Sequence, residues 1–340
     1  MHRLSRITLC IAVAVVLFLT AMADIRAEES VTTLTFGVLP TDSIARLKKW
    51  YEPFAEALDE KMGPRYRIET KYASDYAGII EAMRFDKVDF AQYGNKSAIE
   101  AVDHAGAEVF AQYVSASGSP GYWSHIIVHK DSPYDSIDEL IKNGDKLVFG
   151  NGDPNSTSGF LVPGYYVWAR RGINPREHFK EVRNASHEAN CLAVAKKQVD
   201  FATNNNMSIK RFKQNFPELG KKIKKVWQSP LIPSDPVAWR RDLPKEHRTA
   251  LKAALLAFGR SGPNAERERE ILANLGEGKA PFLNSDNRQL IPIRQLELAK
   301  EKMKIQANDD LSARRKAGRL EKIETELRNL EQYARMVTKY

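Results

Sequence analysis

Residues 148–171 read VFGNGDPNSTSGFLVPGYYVWARR, and the fold turns on this stretch. The apolar run Leu147-Val148-Phe149 has the character of a buried strand. It breaks at Gly150, Gly152 and Pro154, passes three hydroxyl residues (Ser156, Thr157, Ser158) and Gly159, and enters an apolar, aromatic segment that reads as a helix. A strand feeding a hydroxyl-rich turn feeding a helix gathers unpaired N–H groups and the positive end of the macrodipole at one point. An oxyanion such as a phosphate or phosphonate suits that point. A plain helix cap by Ser156 or Ser158 uses the same chemistry, so the stretch alone leaves both readings open.

Upstream, Thr33 to Leu39 form a first strand, and Asp42 or Ser43 precedes a helix with Leu47, Trp50, Phe54 and Leu58 on one face. Tyr66 to Tyr72 alternate as a second strand. Asp75-Tyr76 opens a helix through Ile79, Ile80 and Met83. Val88 to Ala91 is a short strand before Gly94-Asn95-Lys96-Ser97 and a further helix, and Val109 to Ser115 is a strand. The alternation predicts an α/β lobe with a largely parallel sheet. Trp123 to Lys130 is another strand, and Ser136 with Glu139 three residues on has the spacing of a capping box. Beyond the central stretch, Ser186-His187-Glu188 leads a helix, and Gln198-Val199-Asp200-Phe201-Ala202 echoes Lys87-Val88-Asp89-Phe90-Ala91. The echo predicts two lobes of one plan. Crossings near Tyr122–Ser124 and Asp235–Trp239 would make the middle of the chain a lobe inserted into the first.

The 340 residues suffice for two such lobes. A charge of +9 with both signs interspersed gives no case for nucleic acid, and the lysines at 221, 222, 224 and 225 read as a solvated face. Residues 1–27 have the form of a secretory leader: Arg3 and Arg6, an apolar run from Ile7 to Leu19, then small residues. Cys10 lies in that leader, so Cys191 is the single cysteine of the mature chain and reads as a buried structural thiol. Near the C-terminus, Leu320, Ile323, Leu327, Leu330, Ala334 and Val337 form a stripe at heptad spacing. It fits a helix packed on its own lobe or a homodimer contact.

These motifs resemble, over nearly the whole mature chain, the periplasmic phosphonate-binding proteins of phosphonate ABC transporters. The resemblance rests on DYAGII (75–80), MRFDKVDFAQYGNKSAIEAVDHA (83–105), GSPGYW (118–123), FGNGDPNSTSGFLVPGYYV (149–167), KQVDFATNN (197–205), SPLIPSDPVAWR (229–240) and LIPIRQL (290–296). It implies the type II periplasmic-binding-protein fold: two α/β lobes, two hinge crossings and a ligand in the cleft. On that plan, residues 28–122 and 238–300 form lobe 1, 123–237 form lobe 2, and 301–340 form a C-terminal helical extension. It further implies a phosphonate head held by Ser156, Thr157 and Ser158 with Tyr76 and His187, and a far end shaped by Tyr122 and Asp235. The implied location is the periplasm, the partner a permease at the inner membrane, and no cofactor or metal is called for. One position departs. Where aminoethylphosphonate binders of the family carry a glutamate for the ligand amine, this chain has Met207. A charge-assisted hydrogen bond contributes about 1.5–3 kcal/mol, so selection for an amine should weaken.

Two other functions compete with this reading. An exported phosphite- or phosphate-binding protein, or a sensory module, would show the same head-group residues. A hydrolase could pair Ser156 with His187 as nucleophile and base, but the chain has neither H-E-x-x-H nor G-x-S-x-G. His125 and His129, four apart on a strand, stand about 13 Å apart and cannot chelate one metal.

Overall fold

The computed structural model describes residues 31–337, so the leader expected at 1–27 lies outside the described residues. The chain runs β1 (Thr32–Val38), α1 (Ile44–Met62), β2 (Tyr66–Tyr72), α2 (Tyr76–Arg84), β3 (Phe90–Gln92), α3 (Asn95–His104) and β4 (Ala107–Ser115). A two-residue strand, β5 (Gly121–Tyr122), leads into β6 (Ser124–His129), α4 (Ile137–Lys142), β7 (Val148–Gly152), β8 (Glu181–Ala185), α5 (His187–Ala195), β9 (Phe201–Asn205), α6 (Asn206–Asn215) and β10 (Ile223–Gln228). The chain returns through β11 (Ile232–Pro233) to β12 (Pro236–Arg240), α7 (Lys245–Ala257), α8 (Ala265–Asn274), β13 (Lys279–Asn284), α9 (Ile291–Gln306) and α10 (Ala313–Val337).

Two sheets result, ordered β13-β4-β12-β3-β1-β2 and β10-β6-β9-β7-β8. In the first, β2, β1 and β3 are parallel, but β12 lies antiparallel between β3 and β4. The sheet is therefore mixed rather than largely parallel. The reason is topological: the chain comes back from the second sheet at the cleft end and enters the first against its direction. All of β12 belongs to the first sheet, so a boundary at 237/238 would cut a strand. The two crossings meet as a ribbon in which Tyr122 pairs with Ile232 and Gly121 with Pro233. A Cβ at Gly121 would stand 1.9 Å from the carbonyl oxygen of Ile232, so the ribbon needs glycine there.

The repeated V-D-F-A motif has one job in both sheets. The Asp89 carboxylate accepts the Thr35 N–H at 2.8 Å, and the Asp200 carboxylate accepts the Val148 N–H at 2.7 Å. Phe36 and Gly37 then register with Phe90 and Ala91, as Phe149 and Gly150 do with Phe201 and Ala202. The rings stack at 4.8 and 4.6 Å and seed the two cores. Asp75 caps α2 through the Gly78 N–H at 2.8 Å, and Ser136 and Glu139 form the capping box.

The segment after β7 departs from a regular α-helix. It winds as π-turns over Thr157–Leu161 and Gly164–Trp168, with Leu161 N–H donating to the Ser156 carbonyl at 3.1 Å. Pro163 has no N–H to return to Gly159. The Gly159 carbonyl instead accepts the Thr203 hydroxyl at 2.6 Å, and that of Ser158 accepts the Ser124 hydroxyl at 2.6 Å. Hydroxyls from β6 and β9 thus replace the missing turn and fix the segment to its sheet.

At the C-terminus α10 folds back on α9 through Lys302–Glu324 at 2.8 Å and Arg319–Glu301 at 2.7 Å. Ile323 is buried, with Leu320, Leu327, Leu330 and Ala334 half-buried, so the heptad stripe faces its own chain. The side chain of Val337, the last of the stripe, lies outside the described residues. Helix α9 continues unbroken through residue 300, so the extension does not start at 301.

Candidate functional site

The cleft between the sheets lies at the ends of β3, β7 and β9, where loops and helix starts of both bodies converge. One pocket there is lined by Tyr76, Tyr122, Ser156, Thr157, Ser158, His187, Met207 and Asp235. All eight residues singled out in the sequence come together, from α2, the hinge ribbon, the β7 turn, and the starts of α5 and α6. Six are almost fully buried, and Met207 and Asp235 are half-buried, so the cleft is closed around them.

At one end stand the hydroxyls. Ser156 caps the turn, its oxygen accepting the Gly159 N–H at 3.0 Å, while the same oxygen lies 3.4 Å from His187 Nε2. Cap and pocket lining are therefore one residue. Thr157 Oγ1 accepts the backbone N–H of Lys96 at 2.8 Å, across the cleft from the start of α3. Two helix starts, one from each body, thus face each other over the same point. Asn205 Nδ2 lies 3.1 Å from Ser158 Oγ and 3.2 Å from His187 Nε2. The Tyr76 hydroxyl faces Ser156, and burial pushes its pKa up, so it stays a neutral donor.

His187 differs from the expectation of an imidazole ready to become a cation. Burial and the nearby Arg211 charge lower its pKa to about 3, so the closed cleft holds it neutral. Its Nδ1 is buried with no hydrogen-bond partner among the described residues.

The other end is charged. Tyr122 donates to Asp235 Oδ1 at 2.9 Å; burial raises the Asp235 carboxyl to about 6 against the pull of Lys279. Met207 offers no charge and packs on the apolar cluster that includes Tyr76, Tyr122 and Ile232. Sequence reasoning missed Tyr51, Gln92, Arg211, Glu277 and Lys279, which also line the pocket. Arg211 Nη1 pairs with Glu277 at 2.6 Å, joining α6 to the loop before β13. A second link across the cleft is the ion pair of Arg46 on α1 with Glu188 on α5. One clue was present: Met207, Ser208 and Arg211 fall on one face of α6, at i, i+1 and i+4.

Two hinged α/β bodies closing a hydroxyl-rich turn, a histidine and two tyrosines into one pocket define a bilobal binding protein for a small oxyanion. Comparison with known proteins narrows this. A family model described as the periplasmic substrate-binding protein of phosphonate ABC transporters matches residues 36–290. The phosphonates-binding periplasmic protein of Escherichia coli K12 is 45% identical over 312 residues, 92% of this chain and 90% of that one. A binding-protein component of a phosphonate ABC transporter from Pseudomonas aeruginosa superimposes with a TM-score of 0.85 at 45% identity, covering 91% of this chain and 99% of the other. A Prochlorococcus marinus protein in complex with methylphosphonate shares the fold, with a TM-score of 0.66 at 20% identity over 78% of this chain and 97% of its own.

The chain belongs to the periplasmic substrate-binding proteins of phosphonate ABC transporters. It is the binding component of such a transporter, with the type II fold, and not an enzyme.

Proposed function

We propose that the phosphonate head sits among Ser156, Thr157, Ser158, Tyr76 and His187, with its substituent toward Tyr122, Met207 and Asp235. The observation that carries this reading is the convergence of residues from both bodies and the hinge on one buried pocket with neutral donors at one end. Neutral hydroxyls and helix-start N–H groups suit a doubly charged head because no counter-ion need be desolvated with it. Each sheet with its helices moves as a unit about the Gly121–Tyr122/Ile232–Pro233 ribbon. Contacts made only in the closed form, such as Lys96 to Thr157, let the ligand favour closure. The closed protein then docks on the permease, after removal of a leader at residues 1–27. Of the α10 stripe only Ile323 is fully buried, and Leu320, Leu327 and Leu330 stay half-buried, so a homodimer contact along this helix remains a proposal.

The test is calorimetry with methylphosphonate on the double variant Ser156→Ala, Thr157→Ala. The expected result is lost binding by a variant that still unfolds cooperatively, its stability lowered by about 1–2 kcal/mol through the lost cap. A sub-micromolar Kd retained by that variant would place the site elsewhere.

A further inference from the structure

Glu277 and Lys279 flank Gly278 in the loop that opens β13, and both turn into the far end of the pocket. Lys279 Nζ lies 2.5 Å from Glu277 Oε1, and Arg211 Nη1 lies 2.6 Å from Glu277 Oε2. The side chains are 14%, 9% and 7% exposed for Lys279, Arg211 and Glu277, so these charges have left water. Lys279 Nζ stands 5.4 Å over the ring of Tyr113, whose backbone N–H donates to the Asp235 carbonyl at 3.0 Å. After burial, Lys279 exerts the largest effect on the Asp235 carboxyl, drawing it down. Glu277 is pushed up by burial but brought down to about 2 by Lys279 and Arg211. Arg211 Nε also stands 3.8 Å from Asp42, which Arg46 pairs; with that carboxylate answered, Asp235 and Glu277 face the two cations Arg211 and Lys279.

We infer that Lys279 supplies, from within the protein, the ammonium that would otherwise come from the ligand, so that the pocket selects phosphonates lacking a distal amine. The inference rests on the proposed site and names its ligand class. An aminoalkyl ligand would bring a second ammonium to Asp235 beside Lys279, and like charges in a dry pocket discriminate strongly. An alkyl tail meets Met207 and Tyr122 and leaves the charge balance intact. Position 207 carries no carboxylate, and Lys279, paired with Glu277, lines the same end of the pocket as Asp235.

The experiment compares two ligands that differ mainly by the amine, ethylphosphonate and 2-aminoethylphosphonate. Their dissociation constants are measured by calorimetry for the native chain, Lys279→Met and Lys279→Arg. The native chain is expected to bind ethylphosphonate at least as tightly as aminoethylphosphonate. Lys279→Met should shift the ratio at least fivefold toward the amine, and Lys279→Arg should keep the native order. A native preference for aminoethylphosphonate, or a ratio shifted less than fivefold in Lys279→Met, overturns the inference. Should Lys279→Met not fold, the native ranking decides alone. Binding of neither ligand by the native chain would overturn the proposed site together with it.

Discussion

The two sheets share a scaffold and differ at its rim. Phe36-Gly37 against Phe90-Ala91 in the first is Phe149-Gly150 against Phe201-Ala202 in the second, with Asp89 and Asp200 tying the strands in the same way. One step further the likeness ends. Leu39, buried, stands in the first sheet where Gly152 stands in the second. At Gly152 the chain doubles back so closely that an added Cβ would meet the Gly159 backbone at 2.5 Å. The second body thereby presents three hydroxyls to the cleft, while the first contributes a helix start, Tyr76 and the charged loop at Glu277. A repeated frame carries two different halves of one pocket, as loops on a rigid scaffold can.

The largest expected effect comes from erasing that difference. Gly152→Val should abolish methylphosphonate binding, a loss beyond about 100-fold by calorimetry, because a turn displaced by an ångström or more no longer aims its donors. Binding within tenfold of the native chain would show that the close approach is not needed.

The shared frame is tested next. Asp89→Ala should destabilise by about 2–3 kcal/mol in urea unfolding, since Asp89 also pairs with Arg240 at 2.9 Å and is buried. Asp200→Ala, at an exposed position, should cost about 1 kcal/mol. Equal costs would remove the asymmetry proposed for the two ties.

A smaller effect depends on pH. The Asp235 carboxyl titrates near 6 in the folded protein, above its ordinary 3.8. Its contribution to stability is thus fully present below about pH 4 and is lost as pH rises through 6. Asp235→Asn should therefore gain on the native chain across that window, reaching roughly 3 kcal/mol at pH 8. A constant difference between pH 4 and pH 8 would show that Asp235 is not held above its ordinary pKa.

Much of this was legible in the sequence because it is local. Alternation gave Tyr66–Tyr72, side-chain spacing gave the caps at Asp75 and Ser136, and the V-D-F-A echo exposed the repeated frame. The hydroxyl-rich turn at Ser156, Thr157 and Ser158 was legible on its own, and the resemblance added Tyr76, Tyr122, His187, Met207 and Asp235. What stayed hidden depends on distant partners. The antiparallel β12 follows from where the chain re-enters, which no local pattern records. The π-turn at Thr157–Leu161 depends on hydroxyls of Ser124 and Thr203 reaching carbonyls that Pro163 leaves unpaired. Arg211 sits in a basic run, and Glu277-Gly278-Lys279 has the composition of a surface turn, so neither pointed to a buried site. The neutral state of His187 comes from enclosure and from Arg211, both consequences of closure.

In the proposed site, neutral donors on the second body, not the cations at the other end, hold the head group. A crystal structure of the complex with ethylphosphonate tests it most directly. Phosphonate oxygens are expected within hydrogen-bond distance of Ser156, Thr157 and Ser158, with the ethyl group against Met207. A phosphonate bound to Arg211 and Lys279, with its ethyl group toward Ser156, would contradict it.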